Sequence, residues 1–182
     1  MHKAHFSLFP TSVGDCGIAW RGDTVVATSL PEMTAAAMTS RLAARTEATT
    51  AEPSAYIHRI IRAIAALLKG EKTDLSFITC DFSGIDSFAG KVYTATRTIQ
   101  VGETLTYGDV ASQLGDKLLA RKVGWALGRN PFPIIVPCHR VIGTNGQLTG
   151  FSARGGVETK LKLLAIEGAV AGEQLKLFDH IR

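Results

Sequence analysis

Cysteine is scarce in this chain. Only Cys16, Cys80 and Cys138 occur in 182 residues, an odd number at wide spacing. That argues against the disulfide framework of a small secreted domain and for a reducing compartment, the cytoplasm or, in a eukaryotic cell, the nucleus. Long apolar runs are also missing. No stretch approaches the roughly 18 continuous apolar residues of a membrane span. The opening "MHKAHFSLFPTSVG" has neither the apolar core nor the small-residue cleavage site of a signal peptide. Paired metal-ligand spacings are absent too: Cys16, Cys80, His2, His5 and His58 form no C-x-x-C or H-x-x-x-H pattern, so no metal site is expected. Internal repeats and low-complexity tracts do not occur. Acidic residues are thin in one place. Between 115 and 140, Lys117, Arg121, Lys122, Arg129 and Arg140 face only Asp116, whereas the whole chain carries just +4. Such a stretch suits a polyanionic partner or, more blandly, a solvated helix face.

What is present describes an ordinary globular protein. With 46% hydrophobic and 20% charged residues, the chain can bury one sizeable core or two small ones. Residues 1 to 30 alternate short apolar runs with turn signals at Gly14-Asp15 and Arg21-Gly22-Asp23, predicting a small antiparallel meander. A helix is expected over 31–45. A clearer one follows, with Tyr56, Ile57, Ile60, Ile61, Ile64, Leu67 and Leu68 at helical spacing and Gly70 as its stop. "LSFITCDFSG" reads as one more strand. This gives an N-terminal α/β domain over residues 1–84.

The second domain, residues 85–182, opens with a helix in "DSFAGKVYTATRTI". "TYGDVASQLG" and "DKLLARKVGWALG" then form two short helices around Gly115, a helix-turn-helix pattern. Thr106 and Asp109 have the spacing of a capping box, and Asp116 caps the second helix. Asn145-Gly146 signals a two-residue hairpin, and "GGVETKLKLLAIEG" closes the domain as a helix. Helix, helix-turn-helix and hairpin make a winged-helix arrangement.

One segment carries reactive chemistry: "PFPIIVPCHRVI", residues 131 to 142. A free thiol ionises near pH 8.5, and the thiolate is the attacking species. A neighbouring imidazole can remove the proton directly or through one water, with a carboxylate to orient it. Cys138 and His139 are adjacent, so a regular strand would point them to opposite faces. A turn or a bridging water is required, and Pro137 supports a break. Taken alone, a Cys-His dipeptide is better read as packing, because cysteine often simply fills core space.

The context changes that reading. Pro137-Cys138-His139-Arg140-Val141 is preceded by Asn130-Pro131 and followed by Gly150-Phe151-Ser152 and a helix bearing Lys160, Leu163, Leu164 and Glu167-Gly168. With "LTYGDVASQLG" and "ARKVGWALGRNP" upstream, residues 86 to 169 resemble the O6-alkylguanine-DNA alkyltransferases, the methylated-DNA–protein-cysteine methyltransferases. Over residues 1 to 85 the resemblance rests on length and element order alone, and implies a ribonuclease H-like N-terminal domain.

The resemblance implies direct-reversal repair. The alkyl group of O6-alkylguanine, and of O4-alkylthymine, would move irreversibly to Cys138, consuming the protein. His139 would be the base, acting through water. Glu167 would orient it, Asn130 would fix the turn that presents the cysteine, and Tyr107 would donate a proton to the leaving guanine. Base flipping is needed, because O6 lies within a stacked duplex. Arg121 would take the place of the flipped base, Gly124 would let the backbone approach, and Lys122, Thr106 and Ala120 would border the DNA. The backbones of Cys138 and Val141, with Phe151, Ser152 and Tyr107, would form the base pocket. The implied partner of this monomer is double-stranded DNA, with no cofactor and no membrane. Phe151 stands where some relatives have tyrosine, and "SARGG" is longer than their "SGG". A non-enzymatic binder of alkylated bases is the alternative, and Cys138 argues against it.

Overall fold

The alternating pattern at the start of the chain folds into three antiparallel strands. In the computed structural model, which describes residues 3–169, these are β1 (His5–Phe9), β2 (Cys16–Arg21) and β3 (Thr24–Ser29). Gly22, at φ 58°, makes the tight β2–β3 turn with Asp23. After α1 (Ala35–Thr46), β4 (Thr49–Thr50) pairs in parallel with β1, giving the order β3-β2-β1-β4. The sheet is therefore mixed and not purely antiparallel as expected. A two-residue strand has no periodicity to read, and its pairing depends on where α1 returns the chain.

Each sheet face is covered by a helix. Met38 and Leu42 of α1 pack with Phe6, Ala19 and Ala27. A Cβ on Gly17 would lie 2.5 Å from Leu42 Cδ1, so any larger residue there would displace the Leu42 side chain from its packing. Ile18, Trp20 and Val25 belong to a second cluster with Ile57, Ile60, Ile64 and Leu67 of α2 (Ala55–Leu68). The Ser54 side chain caps α2 by accepting from the Ile57 N–H.

"LSFITCDFSG" does not form the expected strand. Only one bridge survives, Val25 to Cys80. The Asp74 and Asp81 carboxylates accept the backbone N–H groups of Ser76 and Ser83. Those local turns compete with an extended ladder.

The C-terminal half holds α3 (Ser87–Thr96), β5 (Leu105–Thr106), α4 (Tyr107–Gln113), α5 (Ala120–Gly128), β6 (Val141–Ile142) and α6 (Val157–Ile166). Thr106 and Asp109 form the capping box of α4, and Gly115 turns the chain at φ 102°. Asp116 caps a short 3-10 turn, Lys117–Leu119, ahead of α5. Asn145 and Gly146 do adopt left-handed backbone, φ 59° and 75°, and the Gly143 N–H donates to the Gln147 carbonyl. No antiparallel ladder flanks them. Instead β6 pairs in parallel with β5, and Lys160 Nζ donates to the Val141 carbonyl at 2.6 Å, so the pairing capacity of β6 is already used.

One apolar cluster runs through both halves, from Phe9 and Ile18 to Val92, Val123, Val136 and Leu163. Among the described residues, no helix is long and apolar enough to cross a membrane. His2 and residues 170–182 of the second expected domain lie outside the described residues.

Candidate active site

The segment leaving α5 is a wound turn held by one amide. Asn130 Oδ1 accepts from the Phe132 N–H at 2.9 Å. Its Nδ2 donates to the Val136 carbonyl at 2.9 Å and to Cys138 Sγ at 3.3 Å. Both ends of the loop and the thiol are thereby tied to a single buried side chain. Val136 N–H closes the loop onto the Phe132 carbonyl, and Ile134 sits inside it at φ 77°. A β-branched residue there stores roughly 1–3 kcal/mol of strain, which only a closely tied surround sustains. Part of that surround comes from β3: the Thr28 N–H donates to the Pro131 carbonyl and its hydroxyl to the Pro133 carbonyl. The N-terminal sheet thus holds the turn from outside.

Cys138, His139 and Arg140 form a 3-10 turn, the break that adjacent reactive side chains require. Cys138 is a free thiol, 7% exposed. Burial pushes its pKa up, while the Asn130 hydrogen bond and the nearby Lys160 charge pull the other way. His139 Nε2 lies 2.9 Å from Glu167 Oε1. The same carboxylate accepts from Arg140 Nε and Nη2, each at 2.8 Å, and Arg140 Nη1 donates to the Ile99 carbonyl.

The protonation pattern follows from these bonds. Burial raises the Glu167 pKa, but the hydrogen bonds from His139 and Arg140 outweigh it and hold the carboxyl at about 2. An ionised carboxylate only accepts, so His139 Nε2 carries the hydrogen and Nδ1 keeps its lone pair. Nδ1 is buried and makes no hydrogen bond among the described residues. Burial lowers the His139 pKa, against the opposing pull of Glu167. The imidazole is therefore neutral at neutral pH, with a free basic nitrogen.

Cys138 lines a cavity of about 640 Å³, a size typical of small-molecule sites. Ala120, Arg121, Gly124, Trp125, Leu127 and Gly128 of α5 form one wall. Thr149, Gly150, Phe151 and Ser152 supply another, and Tyr107 completes the lining. The Tyr107 hydroxyl donates to the Thr149 carbonyl at 3.3 Å, and burial raises its pKa. Lys160 Nζ donates to the Tyr107 oxygen at 3.4 Å as well as to the carbonyls of Val141 and Thr149. Burial lowers the Lys160 pKa to about 8, with Cys138 opposing.

The expected residues fall into three groups. Cys138 is bonded to Asn130 and His139 to Glu167, two neighbouring networks, while Tyr107, Arg121, Gly124, Ala120, Phe151 and Ser152 line the cavity beside them. Val141 lies fully buried behind Cys138, its N–H donating to the Cys138 carbonyl. Thr106 caps α4, and the exposed Lys122 places its ammonium 4.4 Å from the Phe88 ring centroid.

Arg140 corrects the reading of the basic stretch. It is 6% exposed and paired with Glu167, so it is closed to phosphate. Lys160 and Thr28 were not foreseen as parts of the site. Lys160 had a signal, being in phase with Leu161, Leu163 and Leu164 on the buried side of α6; a charge there needs partners. Thr28 had none, since its role depends on a contact 105 residues along the chain.

Comparison with known proteins agrees with this geometry. Residues 87–169 match the family model for the 6-O-methylguanine DNA methyltransferase DNA-binding domain. The methylated-DNA–protein-cysteine methyltransferase of Mycobacterium tuberculosis is 43% identical over 130 residues, 71% of this chain and 76% of the relative. The enzyme of that name from Methanothermobacter thermautotrophicus is 33% identical over 154 residues, 85% and 80% of the two chains. The crystal structure of the M. tuberculosis O6-methylguanine methyltransferase superposes with a TM-score of 0.74 at 36% identity, covering 96% of this chain and 99% of the other. The archaeal Pyrococcus kodakaraensis O6-methylguanine-DNA methyltransferase gives 0.67 at 27% identity, covering 91% and 99%. With a relative 43% identical over three quarters of its own length, the chain belongs to the methylated-DNA–protein-cysteine methyltransferases.

Proposed function

We propose that this protein repairs O6-alkylguanine in DNA by moving the alkyl group to Cys138. The observation that carries this is the buried Cys138 thiol on the wall of a cavity of about 640 Å³, roomy enough to admit an extruded purine, next in the chain to a neutral histidine with a free basic nitrogen. The thiol proton leaves through a water to His139 Nδ1. Glu167 stabilises the imidazolium that forms, and Arg140 keeps Glu167 ionised. The sulfur attacks the alkyl carbon in line, the S–C bond forming as the C–O6 bond breaks. The departing guanine takes a proton from the Tyr107 hydroxyl, while the buried ammonium of Lys160 stabilises negative charge on that oxygen. These steps leave an imidazolium at His139 and a phenolate at Tyr107. His139 returns its proton to solvent and Tyr107 regains one from solvent, so the net change is one proton from sulfur to guanine and one alkyl group from oxygen to sulfur. The product is a thioether, which no common cellular thiol chemistry reverses, so each protein acts once.

DNA engagement is assigned to the C-terminal domain, residues 85–182, read as a winged helix with α4 and α5 as its helix-turn-helix. Arg121, Lys122, Gly124, Ala120 and Thr106 lie on or beside that motif. Arg121 replaces the extruded base, and the guanine rests between α5 and the 149–152 loop, with Phe151 and Ser152 against it. The N-terminal domain, residues 1–84, serves as a support, holding the Pro131–Pro133 segment through Thr28.

Titration with excess duplex carrying O6-methylguanine tests the reading. Guanine restored should reach one equivalent per protein and then stop. Continued turnover, or binding without any guanine restored, overturns it.

A further inference from the structure

Three large apolar side chains stand exposed among the described residues: Met33, Leu118 and Trp125. Trp125 differs from the other two in lining the cavity that contains Cys138. Its indole is 66% exposed, so it occupies the mouth and not the packed interior. It follows Arg121 by four residues on α5, which places both side chains on one helix face. Val123, Ala126 and Leu127 turn inward to the core. Phe151 lines the same cavity from the 149–152 loop.

The substrate's chemistry makes an aromatic wall useful here. An O6 substituent removes the N1 hydrogen of guanine, so the lesion offers fewer hydrogen bonds than the normal base. Its π-face is unchanged, and stacking on an aromatic side chain is a main source of affinity for an unpaired base. Resting on the functional reading above, we propose that Trp125 is a further substrate-binding residue. Its indole forms the outer wall of the base cavity and stacks on the extruded alkylpurine, opposite Phe151.

The chain's own tryptophans supply the test. There are two, and Trp20 is buried at 4% exposure. A titration of C138S with duplex bearing O6-methylguanine should therefore quench Trp125 fluorescence beyond the effect of the same duplex bearing guanine. Trp125→Phe in that background should abolish the lesion-dependent part. With Cys138 intact, Trp125→Ala should slow methyl transfer about tenfold from both single-stranded and duplex substrate, and Trp125→Phe should restore most of the rate. The side chain is exposed, so both variants should keep the parent melting temperature. Equal quenching by both duplexes, or a wild-type rate in Trp125→Ala, overturns the proposal. A wild-type protein that takes no methyl from the same duplex overturns the functional reading, and this proposal with it.

Discussion

His139 and Glu167 meet across 28 residues of chain through one buried hydrogen bond of 2.9 Å, and the same carboxylate receives two more bonds from Arg140. Glu167 titrates at about 2 in the folded protein, against an ordinary 4.5. Its contribution to stability is therefore complete above pH 4.5 and lost as pH falls from there toward 2. Glu167→Gln should remove that acid dependence and cost roughly 3–5 kcal/mol at neutral pH, because Arg140 is left buried without its counter-charge. Urea unfolding of both proteins across that pH interval checks it. His139, with its pKa lowered by burial, should place the acid limb of the transfer rate below the ordinary 6.5.

Asn130→Ala should damage fold and chemistry together. It leaves the Phe132 N–H without a partner, removes one of the two donors to the Val136 carbonyl, the other being the Cys138 N–H, and frees the thiol. One buried backbone N–H left unsatisfied, at roughly 1–3 kcal/mol, predicts a clear loss in denaturant midpoint. The strain at Ile134 would then relax, and transfer should slow more than DNA binding weakens.

Much of this was legible in the sequence, and what was not has physical reasons. The capping box at Thr106 and Asp109, the apolar stripe of α2 and the β2–β3 turn are local patterns, and all three formed. β4 was missed because two residues carry no period. The strand expected near Cys80 gave way to local turns, in which Asp74 and Asp81 take backbone N–H groups two residues on, and the hairpin at Asn145-Gly146 gave way to the Lys160 side chain of α6, which takes the Val141 carbonyl. Cys138 and His139 drew attention as a reactive pair. The bond from Arg140 to Glu167 did not, because a basic residue in a basic stretch looks solvated until its partner, 27 residues on, is placed beside it.

Lys160→Met should keep most of the packing and remove the donor shared by Tyr107, Val141 and Thr149. The folded pKa of about 8 lies below the ordinary 10.5. Charged Lys160 therefore costs stability below pH 8, and that cost is relieved as pH rises between the two values. The wild type should gain stability relative to Lys160→Met over that interval. Transfer by the variant should fall about a hundredfold, the low end of the range for losing one electrostatic or proton-donor contribution.

Arg121→Ala separates extrusion from chemistry. Arg121 is exposed at the cavity mouth and outside the Cys138 network. Filling the vacated stack matters only in a duplex, where unstacking costs a few kcal/mol. Transfer from duplex should fall by at least about tenfold, whereas transfer from free O6-alkylguanine base should stay near the wild-type rate. Stopped assays on the two substrates provide the comparison.

The most direct measurement is intact-protein mass after incubation with O6-methylguanine duplex, followed by peptide mapping. A gain of one methylene per chain, confined to the peptide containing Cys138 and absent from C138S, is the predicted result. An unchanged mass while the DNA is bound, or methyl found on Cys16 or Cys80 instead, would contradict the assignment of Cys138 as acceptor.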